Sequence, residues 1–359
     1  MKRINYLDGH RGIAILLVML FHAFSRWVDL VPYGNEYASF PLFSHGGLAV
    51  RLFFILSGYV ILMTLENSNG IANFLYKRWL RLFPAMLICS LIIFFSASYF
   101  TERPQGIPQA IDMIPGLLFI EHSILSDITG IKFGILEGAF WSLYVEFKFY
   151  ILAAIVYFTF GSRTLVAVLF IASLSWLIMF QLNHYFNNPF VNQVLSILNL
   201  LNLKHFGWFA AGTAFYVFSK SGNKTWFILA LIICLVSSFS VAIDGYGLGA
   251  FFATLAFSGF FALSLINTTL QNLISNRLFL ILGYISYPLY LLHENMMISM
   301  IIKFNQFVPS QFNFILPFIA ILLIATLAYI ITKYLELPIK KLIQKILHNI
   351  APNRLKNVT

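Results

Sequence analysis

Apolar residues run through this chain in ten stretches long enough to cross about 30 Å of hydrocarbon as helices. They fall near 12–29, 47–65, 79–99, 140–160, 164–182, 203–219, 225–243, 248–266, 279–301 and 314–335, with short polar connectors between them. A further apolar piece, 113–124, is too short to span and carries Pro115 and His122, so it reads as re-entrant or interfacial. The pattern predicts an all-α integral membrane protein of about ten transmembrane helices. There is no fixed-period repeat and no low-complexity tract.

Charge sets the expected orientation, because cytoplasmic loops are enriched in Lys and Arg. With the N-terminus inside, the inner segments hold Lys2, Arg3, Arg11, Lys77, Arg78, Arg81, Arg163, Lys220, Lys224, Arg277, Lys333, Lys340, Lys341, Lys345, Arg354 and Lys356. The outer loops and span faces keep only Arg26, Arg51, Arg103, Lys132, Lys148, Lys204 and Lys303, so both termini are expected in the cytoplasm. Residues 1–340 are expected to form one transmembrane domain, and 341–359 a basic cytoplasmic tail. The stretch from Glu336 to Lys345 is basic and amphipathic, suited to an anionic leaflet surface. Met1-Lys2-Arg3 before an apolar run resembles a signal peptide, but no small-x-small cleavage site follows, so an uncleaved first span is expected.

Composition agrees. Of 359 residues, 60% are hydrophobic and only 10% charged, against about 25% charged in soluble domains. The net charge of +10 is set in short loops and the tail, which argues topology and not nucleic-acid binding. Cys89 and Cys234 lie inside apolar runs and read as small core residues, not a disulfide framework.

Charges within spans are costly and mark candidate sites. Arg11 and His22 are eleven residues apart, hence about 20° from alignment and about 16 Å apart along a helix. Asp8 precedes them. The expectation is a charge at one surface and an imidazole near mid-bilayer on one track; the plain alternative is a histidine packed against a neighbour's backbone. Lys77, Arg78 and Arg81 open the third span, and the i,i+3 spacing of the two arginines suits phosphate clamping as well as topology. Glu146 lies about 9 Å into the fourth span, after Trp141 and Ser142, with an ion pair to Arg51 as the structural alternative. Arg51 itself could equally snorkel to the interface before Ser57. Tyr287, Tyr290 and His293 recur every three residues around Pro288, a stripe that lines cavities or bonds neighbouring helices. No metal-ligand spacing, Gly-rich phosphate loop or Gly-x-Ser-x-Gly elbow appears.

Five motifs in order resemble the membrane acyltransferase-3 family of bacterial O-acyltransferases. They are Tyr6-Leu7-Asp8-Gly9-His10-Arg11-Gly12 with His22, then Phe54-Ile55-Leu56-Ser57-Gly58-Tyr59. Lys77-Arg78-Trp79-Leu80-Arg81-Leu82-Phe83-Pro84, Trp141-Ser142-Leu143 through Glu146, and Ser286-Tyr287-Pro288-Leu289-Tyr290-Leu291-Leu292-His293 complete the set. Two positions depart from the family pattern: His10 stands where Leu is usual, and Arg51 where Asp is frequent. The resemblance implies transfer of an acyl group, usually acetyl, from cytosolic acyl-CoA to a hydroxyl of a surface or exported glycan such as lipopolysaccharide O-antigen. It implies His22 as catalytic histidine, Arg11 as its partner, and Arg78 and Arg81 with Lys77 toward the CoA phosphates. Glu146, Asp8, Ser57, Trp141, Ser142, Tyr290 and His293 are expected on the catalytic and acceptor side. No permanently bound cofactor or metal is expected; acyl-CoA is a donor substrate, and the partners are the acceptor glycan and membrane lipids, with a homo-oligomer left open. The expected location is the bacterial inner membrane. The competing class is a transporter or flippase for glycan or ions.

Overall fold

The computed structural model describes residues 4–350 and contains helices and turns but no strand among them. The main helices are α1 (Asn5–Phe21), α2 (Val50–Leu65), α3 (Ile71–Ser96), α4 (Trp141–Phe186), α5 (Phe206–Ser221), α6 (Lys224–Val241), α7 (Gly247–Ile266), α8 (Arg277–Phe304), α9 (Leu316–Ile330) and α10 (Glu336–Ile350). Six helical stretches among the described residues are long and apolar enough to cross a membrane: Asn5–Arg26, Gly46–Leu65, Ile71–Ser96, Gly138–Phe186, Lys224–Ile266 and Ser310–Asn349. The protein is thus built as a multi-pass membrane protein. Gly161 breaks the fourth stretch with a backbone no helix contains, and the turn at Ala242–Tyr246 breaks the fifth. Helix α8 is not one of the six. Its centre carries Tyr287, Pro288, Tyr290, His293, Glu294 and Asn295, which dilute an otherwise apolar sequence.

The described chain forms two compact units. The first takes the residues up to His10, Leu48–Leu75 and Val145–Ser275. Its packing centres on α2 against α5, and α5 against α6. Close approach there depends on small residues, as is usual between membrane helices: a Cβ on Gly212 would overlap the carbonyl oxygen of Ile55. His10 is fully buried in this unit, its Nε2 2.8 Å from Ser264 Oγ and its ring against Phe260 and Phe261. At its polar margin, Glu66 Oε2 accepts from Tyr216 Oη at 2.7 Å and Lys220 Nζ at 2.9 Å. Lys204 pairs with Asp244 at 2.9 Å.

The second unit takes Arg11–Gly47, Tyr76–Tyr144 and the residues from Asn276 onward. Here α8 packs along α9. Pro288 lies inside α8 and Pro84 inside α3; each removes one backbone donor from its helix. Tyr287 Oη donates to the Leu82 carbonyl at 3.2 Å, tying α8 to α3. The piece at 113–124 is two short helices, Met113–Leu118 and His122–Thr129, with left-handed backbone at Phe119 between them. In α10 the apolar Leu337, Leu342 and Ile346 are exposed beside Lys340, Lys341 and Lys345. Lys2, Arg3, Arg354, Lys356 and the rest of the tail beyond 350 lie outside the described residues. Cys89 and Cys234 are buried thiols in no disulfide.

One expectation shifts. The first span begins at Asn5, not near residue 12, and its helix ends at Arg26. Asp8 and His10 are buried, so the helix starts earlier than hydropathy alone suggests. Arg11 therefore lies about 9 Å inside the helix and His22 near its far end, about 26 Å from Asn5 by rise per residue. Arg11 and His22 lie on this one continuous helical stretch.

Candidate active site

His22 opens a π-helical turn, His22–Arg26, that closes the first span. Such turns recur at functional sites because they re-aim a side chain without ending the helix. His22 Nδ1 lies 2.9 Å from the Val18 carbonyl and 3.1 Å from His293 Nε2. His293 Nδ1 lies 2.8 Å from the Tyr290 carbonyl. A carbonyl only accepts, so in the neutral rings each Nδ1 carries the proton, an assignment by partner chemistry. His293 Nε2 then accepts a shared bond from His22 Nδ1–H. This leaves His22 Nε2 with a bare lone pair, facing Glu294 Oε1 at 3.7 Å. The two imidazole rings stand edge to face, with centroids 4.7 Å apart.

A polar layer surrounds this pair within the second unit. Tyr290 Oη and Ser142 Oγ hydrogen-bond at 2.8 Å. Asn295 is gripped from two sides: its backbone N–H and its Nδ2 each donate to Glu137 Oε1 at 2.9 Å, and Nδ2 also reaches Gln105 Oε1 at 2.9 Å. Gln105 N–H returns a bond to Asn295 Oδ1 at 3.2 Å. Gly138 permits this crowding, because a Cβ there would strike Gln105 Nε2 and Glu294 Oε2. Arg103 Nη2 donates to the Leu136 carbonyl at 2.7 Å, and a small cleft beside it is lined by Ile93, Ser96, Phe100, Glu137 and Met296. Burial pushes the Glu137 carboxyl up to about 8, with the charge of Glu294 adding and Arg103 and the Asn295 donors opposing.

The basic residues divide. Lys77 and Arg81 are exposed on α3, while Arg78 between them is 7% exposed. Glu336, at the start of α10, lies within electrostatic reach of Arg81 and Lys340, so Arg81 has a structural counter-charge. Arg11 is half-buried and Trp141 exposed.

In the first unit, Ser57 and Glu146 come together, a pairing the sequence did not suggest. Glu146 Oε1 accepts from Ser57 Oγ and from Tyr150 Oη, each at 2.5 Å. Lys148 points elsewhere and donates to the Leu200 carbonyl at 2.6 Å. Asp8 is buried near the start of α1. The site residues thus form a His22–His293–Tyr290–Ser142 group in one unit and a Ser57–Glu146–Tyr150 group in the other.

A family model described as an acyltransferase domain, Acyl_transf_3, matches residues 4–334. The chain belongs to the acyltransferase-3 family. It is 31% identical over 188 residues to an O-acetyl transferase of Shigella phage Sf6, covering 49% of this chain and 53% of the relative. It is 24% identical over 363 residues to the O-acetyltransferase OatA of Staphylococcus aureus, covering 93% of this chain and 57% of the relative. The chain thus spans just over half the length of each of these relatives. No solved structure matches.

Five residues that surround the acyltransferase-3 histidines have no role in the sequence reading: Glu294, Asn295, Glu137, Arg103 and Gln105. Glu294 carried the clearest signal, as an acid directly after His293 in a hydrophobic helix, which the cost of intramembrane charge already marks. Glu137 and Gln105 lie in connectors, where polar residues are ordinary, and nothing in their spacing points to Asn295.

Proposed function

We propose that this acyltransferase-3 protein is an O-acetyltransferase that moves acetyl from acetyl-CoA to a hydroxyl of a surface or exported glycan, lipopolysaccharide O-antigen being one such acceptor. The observation that carries the reading is the pair of contacts at His22 Nδ1, to the Val18 carbonyl and His293 Nε2, which by partner chemistry commit the N–H there and assign the lone pair to Nε2. In the reaction the acceptor O–H gives its proton to His22 Nε2 as its oxygen bonds the thioester carbon. The C–S bond then breaks, and the departing CoA thiolate takes the proton from Nε2. General base catalysis of this kind supplies about 10²–10⁴-fold in rate. Both relatives are named O-acetyl transferases, which supports acetyl as the group and oxygen as the receiving atom. Lys77, Arg78 and Arg81 cluster on α3 and suit the phosphates of CoA, with Arg11 guiding the thioester arm toward His22. Ten spans, cytoplasmic termini and an inner-membrane location complete the proposal, since α5 and α8 add two crossings to the stretches divided at Gly161 and Ala242–Tyr246. The test is mass spectrometry of surface glycans from cells with the gene, without it, and with His22→Ala. A 42-Da acetyl increment (about one acetyl for one hydrogen), present only with the intact protein, is expected from the general-base chemistry. Unchanged glycan mass in the deletion refutes the acceptor class, and full acetylation by His22→Ala refutes the base.

A further inference from the structure

The proposed chemistry uses His22 Nε2 and leaves unassigned the group that faces it. That group is Glu294, whose Oε1 lies 3.7 Å from Nε2, with the two side chains only 13% and 5% exposed. The separation is too long for a direct hydrogen bond and too short to hold an oxygen in line between the atoms. A hydroxyl has one proton to give, so an acceptor that donates it to Nε2 makes no second hydrogen bond to Oε1, and the carboxylate acts on the ring and not on the nucleophile.

The carboxylate matters most after the proton moves. Before transfer His22 is neutral, and the attraction between Nε2 and a carboxylate is weak. After transfer the ring is an imidazolium with its new charge 3.7 Å from Oε1, in a buried site where such an attraction is stronger than in water. An interaction that appears only as the reaction proceeds lowers the barrier without tightening ground-state binding. The other charged or titratable groups reaching Glu294 are Arg26, His293 and Glu137.

We propose that Glu294 is a positioning residue of the acyl transfer: the carboxylate that stabilises the protonated form of His22. Its own location is set by its neighbours in sequence. His293 is fixed through the Tyr290 carbonyl, and Asn295 is clamped by Glu137 and Gln105. Glu294 thus sits between two anchored residues, with its Oε2 over Gly138. Proton balance is unchanged, since Glu294 keeps no proton and Nε2 returns its proton to the CoA thiolate. The inference rests on His22 acting as the base.

The experiment uses the full-length protein in membrane vesicles of cells that make its native glycan. Transfer of radiolabel from [¹⁴C]acetyl-CoA into the extracted glycan is measured against acetyl-CoA concentration. Wild type, His22→Ala, Glu294→Gln and Glu294→Asp are compared at equal amounts of folded protein, judged by size-exclusion chromatography. Glu294→Gln is expected to lower kcat about 100-fold, in the range of electrostatic stabilising groups, with KM for acetyl-CoA unchanged. Glu294→Asp, which keeps the charge, is expected to recover at least about tenfold of that loss. Wild-type kcat in Glu294→Gln, or a loss seen only in KM, overturns the proposal. If the Gln variant does not fold, Glu294→Ala decides in its place: reduced kcat at unchanged KM supports the role, and wild-type kcat overturns it. His22→Ala separates the two readings. Should it abolish transfer while Glu294→Gln does not, the positioning role alone falls; should it retain transfer, both fall.

Discussion

Replacing Glu137 with Gln should make the protein more stable in mild alkali than the wild type, and this can be worked out from the site. Glu137 Oε1 accepts two bonds from Asn295, which a Gln carbonyl oxygen retains. Oε2 has no hydrogen-bond partner among the described residues, so an amide nitrogen there displaces no bond. What the substitution removes is the titration. Burial raises the folded carboxyl from 4.5 to about 8, so the folded state holds the proton more tightly than the unfolded chain. The contribution is therefore fully present below pH 4.5 and is lost as pH rises toward and through 8. Linkage puts the loss near 1.4 kcal/mol per pH unit at its steepest and about 4 kcal/mol in total at pH 8. Thermal unfolding of the purified protein in detergent, at several pH values between 5 and 8.5, measures it. The wild-type midpoint should fall across this range while that of Glu137→Gln falls much less, and the two should be similar near pH 5. Parallel curves for the two proteins would refute the reasoning. Glu137→Leu is the control: it strands the two Asn295 donors at about 1–3 kcal/mol each and should destabilise at every pH.

Two further outcomes are expected. Gly212→Ala forces a methyl into the Ile55 carbonyl and should cost about 1–3 kcal/mol as overpacking, read as a lower unfolding midpoint, with Ala at exposed Gly222 unsuitable as a control because of its positive φ. Arg78→Ala should raise KM for acetyl-CoA by roughly tenfold, in line with the loss of a charged hydrogen bond; an unchanged KM would remove Arg78 from the phosphate contacts.

How far the site could be read from the chain differs from residue to residue. His22, His293, Tyr290 and Ser142 were selectable because each is a polar group in an apolar run, and the fold brings them within one unit. His22 and His293 are separated by 271 positions, and nothing in the chain between them specifies their contact. Ser57 and Glu146 were selected separately and proved to be hydrogen-bonded to each other. Glu294 stood in view but was passed over, because a carboxylate beside a histidine has no assigned partner until the opposite helix is in place. Glu137, Asn295 and Gln105 were out of reach, since their importance lies in mutual hydrogen bonds across long sequence separations.

The same division holds for the fold. Hydropathy determined the helices, because every backbone donor and acceptor in a hydrocarbon layer must be met within its own segment, and that is a local requirement. It placed the breaks near Gly161 and Gly245 and marked 113–124 as too short to cross. It missed the true start of α1, where the burial of Asp8 and His10 by neighbouring structure extends the helix past its apolar run. The tertiary structure alone decided which nitrogen of His22 is free and which carboxylate faces it. A side chain's protonation and orientation depend on groups that approach through space, and the Val18, His293 and Glu294 atoms around that ring come from one neighbouring turn and one distant helix.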